Sequence, residues 1–150
     1  MKVIGIKKDG IEYKKRKGSY VIIEREEDDK IAIATDKTGV YFFLGGGSEK
    51  GEFAKDTVKR ELIEETGYTL KDINYFNKIK SWCFSEKYGY LDVEATIYIA
   101  KFDKKVLEPI EKDHKTIWVS PIDYKDKLYH EYQRYILNEY LLKREKNNVW

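Results

Sequence analysis

Cysteine, histidine and proline are nearly absent from this sequence: one, two and two residues respectively in a chain of 150. A lone thiol, Cys83, excludes an internal disulfide and any metal site built from cysteines alone, and it fits a reducing compartment. A surplus of one charge is lacking too. Lys and Arg number 29 against 27 Asp and Glu, and a net charge of +2 does not mark a nucleic-acid binder. No apolar run is long enough to span a bilayer. The opening MKVIGIKKDG lacks the apolar stretch of a signal peptide. There is no repeat, low-complexity tract or Pro/Gly/Ser linker. The expectation is a cytoplasmic protein with no membrane and no nucleic-acid polymer as partner. With 41% hydrophobic and 15% aromatic residues the chain can build a real core, and its length suits one domain over 1–150.

What is present reads as strands and two helices. SYVIIERE (19–26) and KIAIATD (30–36) are β-rich runs joined by a polar turn, a hairpin pattern, and GVYFFL (39–44) is a further strand leading into Gly45-Gly46-Gly47. From about Phe53 to Thr66, Ala54, Val58 and Leu62 recur every four residues, an amphipathic helix closed by Gly67. Segments 73–86, 90–103 and 116–120 are β-rich. Ser120-Pro121 starts a helix. Residues 128–143 carry Leu128, Tyr132, Tyr135, Ile136 and Tyr140 at helical spacing, a stripe read as core. The few βαβ alternations predict an α+β fold, a mixed sheet with helices packed on it.

The helix carries a local contradiction. Glu61, Glu64 and Glu65 crowd its last two turns, where the dipole disfavours anions and neighbours three or four apart repel. At about 100° per residue, with Arg60 as zero, Glu64 lies near 40°, Glu61 near 100° and Glu65 near 140°, one arc beside the apolar stripe. A hard divalent cation, Mg²⁺ or Mn²⁺, would offset that repulsion with oxygen ligands. Zinc is disfavoured by the lack of nearby His or Cys. On this reading, Glu61→Gln in the metal-free chain raises stability slightly. The glycines allow close backbone approach to a ligand, with carbonyls for a metal and amides for phosphate oxygens. They form no Walker A loop, because Gly51 precedes Glu52, and no dinucleotide fingerprint, because residue 50 is Lys.

Gly46-x5-Glu52-x7-Arg60-Glu61-Leu62-x-Glu64-Glu65-x-Gly67-Tyr68 resembles the Nudix box, GX5EX7REUXEEXGU with U a bulky aliphatic. All seven fixed residues are in register. Even in a chain with sixteen Glu, chance gives such a match on the order of 10⁻⁶ to 10⁻⁵ per chain. Two positions depart: Leu44 stands where proline is usual, and Tyr68 where an aliphatic residue is usual. The resemblance implies a Nudix α/β/α sandwich and hydrolysis of a nucleoside diphosphate linked to another moiety X. By position it implies Glu61, Glu64 and Glu65 as metal ligands or bases, the Gly45 carbonyl as a further ligand, and Arg60 and Glu52 as a pair holding helix and loop in place. Glu61 is the choice for general base. It also implies a ligand outside the box, for which Glu111 is the choice, with Glu108, Asp113 and Glu94 as competitors.

For base recognition the candidates are Tyr20, Trp82 and Phe84, with Tyr88 and Tyr90 nearby, since aromatic stacking is worth about 1–3 kcal/mol per base. Lys and Arg of YKKRKGSY (13–20) are either phosphate contacts or a solvated strand edge. His114 and His130 receive no role, and Cys83 reads as buried rather than nucleophilic. Three functions were weighed. The first is a metal-dependent pyrophosphohydrolase of MutT-like (d)NTPs, ADP-ribose or dinucleoside polyphosphates, with a small-molecule nucleotide as substrate, acting as monomer or homodimer. The second is a non-catalytic nucleotide sensor. The third is an interaction domain with an accidental box, which the chance figure makes remote.

Overall fold

The computed structural model describes residues 1–110 and 113–147. In chain order the strands are β1 (Lys2–Ile4), β2 (Lys14–Glu24), β3 (Ile31–Asp36), β4 (Tyr41–Phe42) and β5 (Leu44–Gly47). Helix α1 (Ala54–Thr66) follows, then the long strands β6 (Tyr68–Ser85) and β7 (Gly89–Lys105), then β8 (His114–Val119), the short α2 (Pro121–Tyr124) and α3 (Glu131–Asn147). The sheet is mixed, in the order β1-β6-β7-β2-β3-β4, with β5 also on β2 and β8 also on β3. β2 runs parallel to β7 from Lys14 to Ile23 and antiparallel to β5 from Gly18 to Val21.

Period-two alternation sends neighbouring side chains of β2 to opposite faces. Val21 and Ile23 join Tyr98 and Ala100 beneath Val58 and Leu62 of α1. Ile22 joins Ile79 and Ile97 beneath Tyr132, Ile136 and Tyr140 of α3. The sheet therefore lies between helices, the α+β sandwich expected from the sequence. Its two cores are built by strands that are apolar on both faces at their centres.

Several elements depart from the expectation. β1 was not foreseen; it is held by parallel pairing with Ile79–Ser81 of β6. β6 starts directly after Gly67 rather than near 73, and its pairing with β7 shifts register between Tyr68 and Asn77. α3 begins at Glu131, so Leu128 precedes it, although Leu128 is still buried. The glycines expected as a loop are strand β5. The basic run 14–17 lies within β2, paired with Leu91–Glu94 of β7 on one side.

Candidate active site

Helix α1 is fixed at both ends by groups that answer its own unpaired backbone. At its start the Phe53 amide donates to the Asp56 carboxylate at 3.3 Å. At its end Gly67 takes φ 80°, a left-handed conformation natural to glycine, and its amide donates to the Ile63 carbonyl. The segment after β7 then closes over that end. The Val106 amide donates to the Gly67 carbonyl at 2.8 Å and the Ile110 amide to the Glu64 carbonyl at 2.9 Å. These donors offset the negative end of the dipole where the glutamates sit.

Strand β5 lies so close to β2 at Gly45 and to α1 at Gly46 that a side chain at either position would displace a neighbour. A Cβ on Gly45, at φ 137°, would lie 2.2 Å from the Ser19 carbonyl oxygen. A Cβ on Gly46 would lie 2.5 Å from the Glu61 carboxyl carbon, so that carboxylate is seated directly on the strand backbone. The Gly45 amide donates to Glu65 Oε1 at 2.8 Å. Gly46 has an ordinary φ and its close neighbour is the end of a side chain, so Gly46→Ala displaces the Glu61 carboxylate while leaving the backbone intact. We expect activity to fall roughly 10- to 100-fold with melting within about 3 °C of wild type, measured by turnover and calorimetry on one preparation.

Arg60 is the hub. Its Nε donates to Glu52 Oε2 at 2.8 Å and its Nη2 to Glu52 Oε1 at 3.0 Å, a bidentate pair. Nη2 also donates to the Gly47 carbonyl at 2.9 Å, and Nη1 to Glu61 Oε1 at 3.0 Å and to both Glu64 oxygens at 3.3 Å. Glu52 further accepts from the Glu49 amide at 2.7 Å and the Thr57 hydroxyl at 3.1 Å. The Arg60 hydrogen bonds, followed by the Glu49 amide, lower its pKa to about 2. Glu52 and its neighbours raise that of Arg60. The expectation that the repulsion is relieved only from outside the chain is thus corrected: Arg60 sits among the carboxylates. Glu61→Gln would exchange an ion pair with Arg60 for a hydrogen bond to an uncharged amide, so the slight stabilisation expected from the sequence is withdrawn.

Among the described residues, no three acidic or imidazole side chains already close around one point. Glu61 and Glu64 converge instead on Arg60 Nη1. The donor set still suits a hard cation, because it offers only oxygen, and Glu61 occupies the space a Gly46 side chain would fill. Of the candidates outside the box, Glu111 lies outside the described residues. Glu108 pairs with Lys105 at 2.9 Å and Asp113 with Lys37 at 3.8 Å, both exposed. Glu94 is matched by Lys78 at 3.3 Å and Lys17 at 3.7 Å.

Of the aromatic candidates, Trp82, Phe84 and Tyr90 share one cluster through Tyr13, whereas Tyr20 is apart from them. Tyr20 faces the α3 side, its ring 6.1 Å from that of Tyr132. Cys83 packs on that same side, so Trp82 and Phe84 point to the other face. Trp82 meets Tyr13 edge-on at 5.0 Å under Lys80, and half-exposed Phe84 meets Tyr90 at 5.0 Å. Burial holds the Cys83 thiol above its ordinary pKa, against nucleophilic use. His130 is stacked on Tyr132, and burial, then Arg134 and Arg16, depress its pKa to about 4.

The sequence reading missed one feature. A cavity of about 620 Å³ opens beside Glu65 and Thr66, walled by Tyr68, Phe102 and Trp118. The replacement of an aliphatic residue by Tyr68 was its only sequence signal; that ring lies 5.0 Å from Phe102. Arg16, the one arginine of the basic run read either as phosphate contacts or as a solvated strand edge, has its guanidinium 3.1 Å from where a Gly47 side chain would begin.

The NUDIX domain family model matches residues 14–140. A curated relative, the NAD-capped RNA hydrolase NudC of Photobacterium profundum, is 37% identical over 67 residues, 43% of this chain and 25% of its own. The protein of the same name from Mannheimia succiniciproducens is 42% identical over 78 residues, 51% of this chain and 28% of its own. The chain thus matches only about a quarter of the length of these relatives. Among solved structures, a NUDIX hydrolase from Nitrosomonas europaea superposes with a TM-score of 0.73 at 16% identity, covering 87% of this chain and 90% of that one. A likeness at that identity speaks for the fold alone. The family match spans both cores, the glycine strand and the Arg60 hub, well beyond the box at 46–68, and the chain belongs to the Nudix family.

Proposed function

We propose that the chain is a metal-dependent pyrophosphohydrolase acting on a nucleoside diphosphate linked to X, with a MutT-like (d)NTP as the first substrate class to try. The observation that carries this reading is the Glu61 carboxylate seated on the Gly46 backbone, beside Glu64 and next to the Arg60–Glu52 pair. Glu61, Glu64, Glu65 and the Gly45 carbonyl would hold Mg²⁺ or Mn²⁺, with Glu111 as a further ligand. Bound there, a divalent ion neutralises charge on the pyrophosphate and acidifies a water. In this reading Glu61 takes the proton of the attacking water as general base. Arg60 and Glu52 fix the helix to β5, so that the Glu61 carboxylate and the Gly45 carbonyl keep one mutual position. The bond broken joins phosphorus to the bridging oxygen, giving a nucleoside monophosphate and P–X.

The test is a panel of dNTPs including oxidised ones, ADP-ribose, dinucleoside polyphosphates and, because the similar NudC proteins are NAD-capped RNA hydrolases, NAD, each with Mg²⁺ and with Mn²⁺. We expect nucleoside monophosphate release from at least one of them. Ligand-induced stabilisation without release from any member would favour the sensor reading instead.

A further inference from the structure

The sequence holds five arginines, and four of them have obvious acceptors. Arg25 pairs with Asp28 at 2.7 Å, Arg60 with Glu52 at 2.8 Å and Arg144 with Asp29 at 3.4 Å. Arg134 donates to the carbonyls of Leu128 and Tyr129. Arg16 differs. It is half-buried, and among the described residues no carboxylate lies within 4.0 Å of it. Its guanidinium lies over the Tyr88 ring at 4.5 Å, and its side-chain hydrogen bonds go to the neutral hydroxyls of Tyr88 and Tyr20, which leave its charge unmatched. A half-buried guanidinium without an anion carries a desolvation cost that a ligand anion can offset.

Its place indicates which anion. Arg16 and Gly18 share a face of β2, and Gly18 is the register partner of Gly47. The Gly47 position opens onto Arg16, its virtual Cβ 3.1 Å from Nη2, whereas the Gly46 position opens onto Glu61. One strand of glycines therefore separates the carboxylates on the α1 side from a fixed cation on the α3 side. A chain of phosphates lying along that strand would meet the guanidinium on one side and, with a divalent ion held by the carboxylates, positive charge on the other.

We propose that Arg16 is a binding residue for the polyphosphate of the substrate, donating to non-bridging phosphate oxygens from the face opposite Glu61. This rests on the pyrophosphohydrolase reading for the identity of the ligand. The guanidinium fork suits paired phosphate oxygens, and Tyr88 sets its plane.

The experiment compares wild type, Arg16→Gln and Arg16→Lys in Mg²⁺, measuring kcat, KM and inhibition by inorganic pyrophosphate. With Arg16→Gln we expect KM and the pyrophosphate inhibition constant both to rise roughly 10- to 100-fold, with kcat within about threefold of wild type. Lysine retains the charge but not the fork, so Arg16→Lys should show a smaller rise in both. KM and inhibition constants within about twofold of wild type in Arg16→Gln overturn the proposal and leave the hydrolase reading standing. If wild type hydrolyses nothing, that reading fails, and calorimetric titration with pyrophosphate still decides Arg16: weaker uptake by Arg16→Gln supports it and equal uptake overturns it. If Arg16→Gln fails to fold, Arg16→Lys is decisive, and unchanged pyrophosphate affinity there overturns the proposal.

Discussion

Replacing Glu64 with Gln should lower turnover roughly 10²- to 10⁴-fold while moving the melting temperature by no more than about 2 °C. The substitution keeps the shape of the side chain and removes its charge. The stability cost is small because Glu64 is less embedded against Arg60 than Glu52 or Glu61. Its side chain is 34% exposed and both oxygens are 3.3 Å from Nη1, whereas Glu52 is 17% exposed and held by two shorter bonds. An exposed i,i+4 pair of this kind contributes about 0.3–0.5 kcal/mol. On the proposed reading the catalytic cost is large because the charge would serve the metal ion that carries the pyrophosphate rather than the fold. Steady-state rates in Mg²⁺ together with calorimetric melting test both halves. A near-wild-type rate would remove Glu64 from the site.

The parts legible in the sequence were those with local causes. The span of α1 follows from Ala54, Val58 and Leu62 at four-residue spacing and from Gly67, all within a few residues of what they determine. The same spacing put Glu61, Glu64 and Glu65 on one arc. The parts that escaped depend on partners distant in sequence. β1 exists because Ile79–Ser81 pair with it; nothing within Lys2–Ile4 requires a strand. Gly45–Gly47 have poor strand propensity, yet they must be a strand because β2 on one side and Glu61 on the other leave no room for side chains. Arg16 sits in a run of lysines that reads either as phosphate contacts or as a solvated strand edge. It acquires meaning only from a register that brings Gly18 opposite Gly47, and from Tyr88, 72 positions along the chain. The same holds for the aromatic candidates: composition offered Tyr20, Trp82 and Phe84 together, and the pleat of the sheet divides them between faces.

The box arginine is expected to matter more to stability than any one glutamate. Arg60→Met keeps much of the apolar stem and removes the only cation within 4 Å of Glu52 among the described residues. Glu52, Glu61 and Glu64 would then face one another without it, and the Gly47 carbonyl would lose a donor at 2.9 Å. Breaking a fully buried pair costs about 3–5 kcal/mol. Arg60 is 24% exposed, so roughly 2–4 kcal/mol is expected, a fall of about 5–15 °C in Tm for a domain of this size. The pH dependence identifies the cause. Glu52 has a folded pKa of about 2, below its ordinary value of 4.5. Between those values the unfolded chain binds the proton more readily, so this contribution is fully present above pH 4.5 and is lost as pH falls toward 2. In Arg60→Met the folded pKa of Glu52 moves back toward the ordinary value, and that share of the acid destabilisation disappears. Calorimetric melting of both proteins from pH 7 to pH 3 should therefore show curves that converge on acidification. A constant gap across that range would mean that Arg60 stabilises the fold by packing alone, and that the glutamates at the end of α1 are not held by its charge.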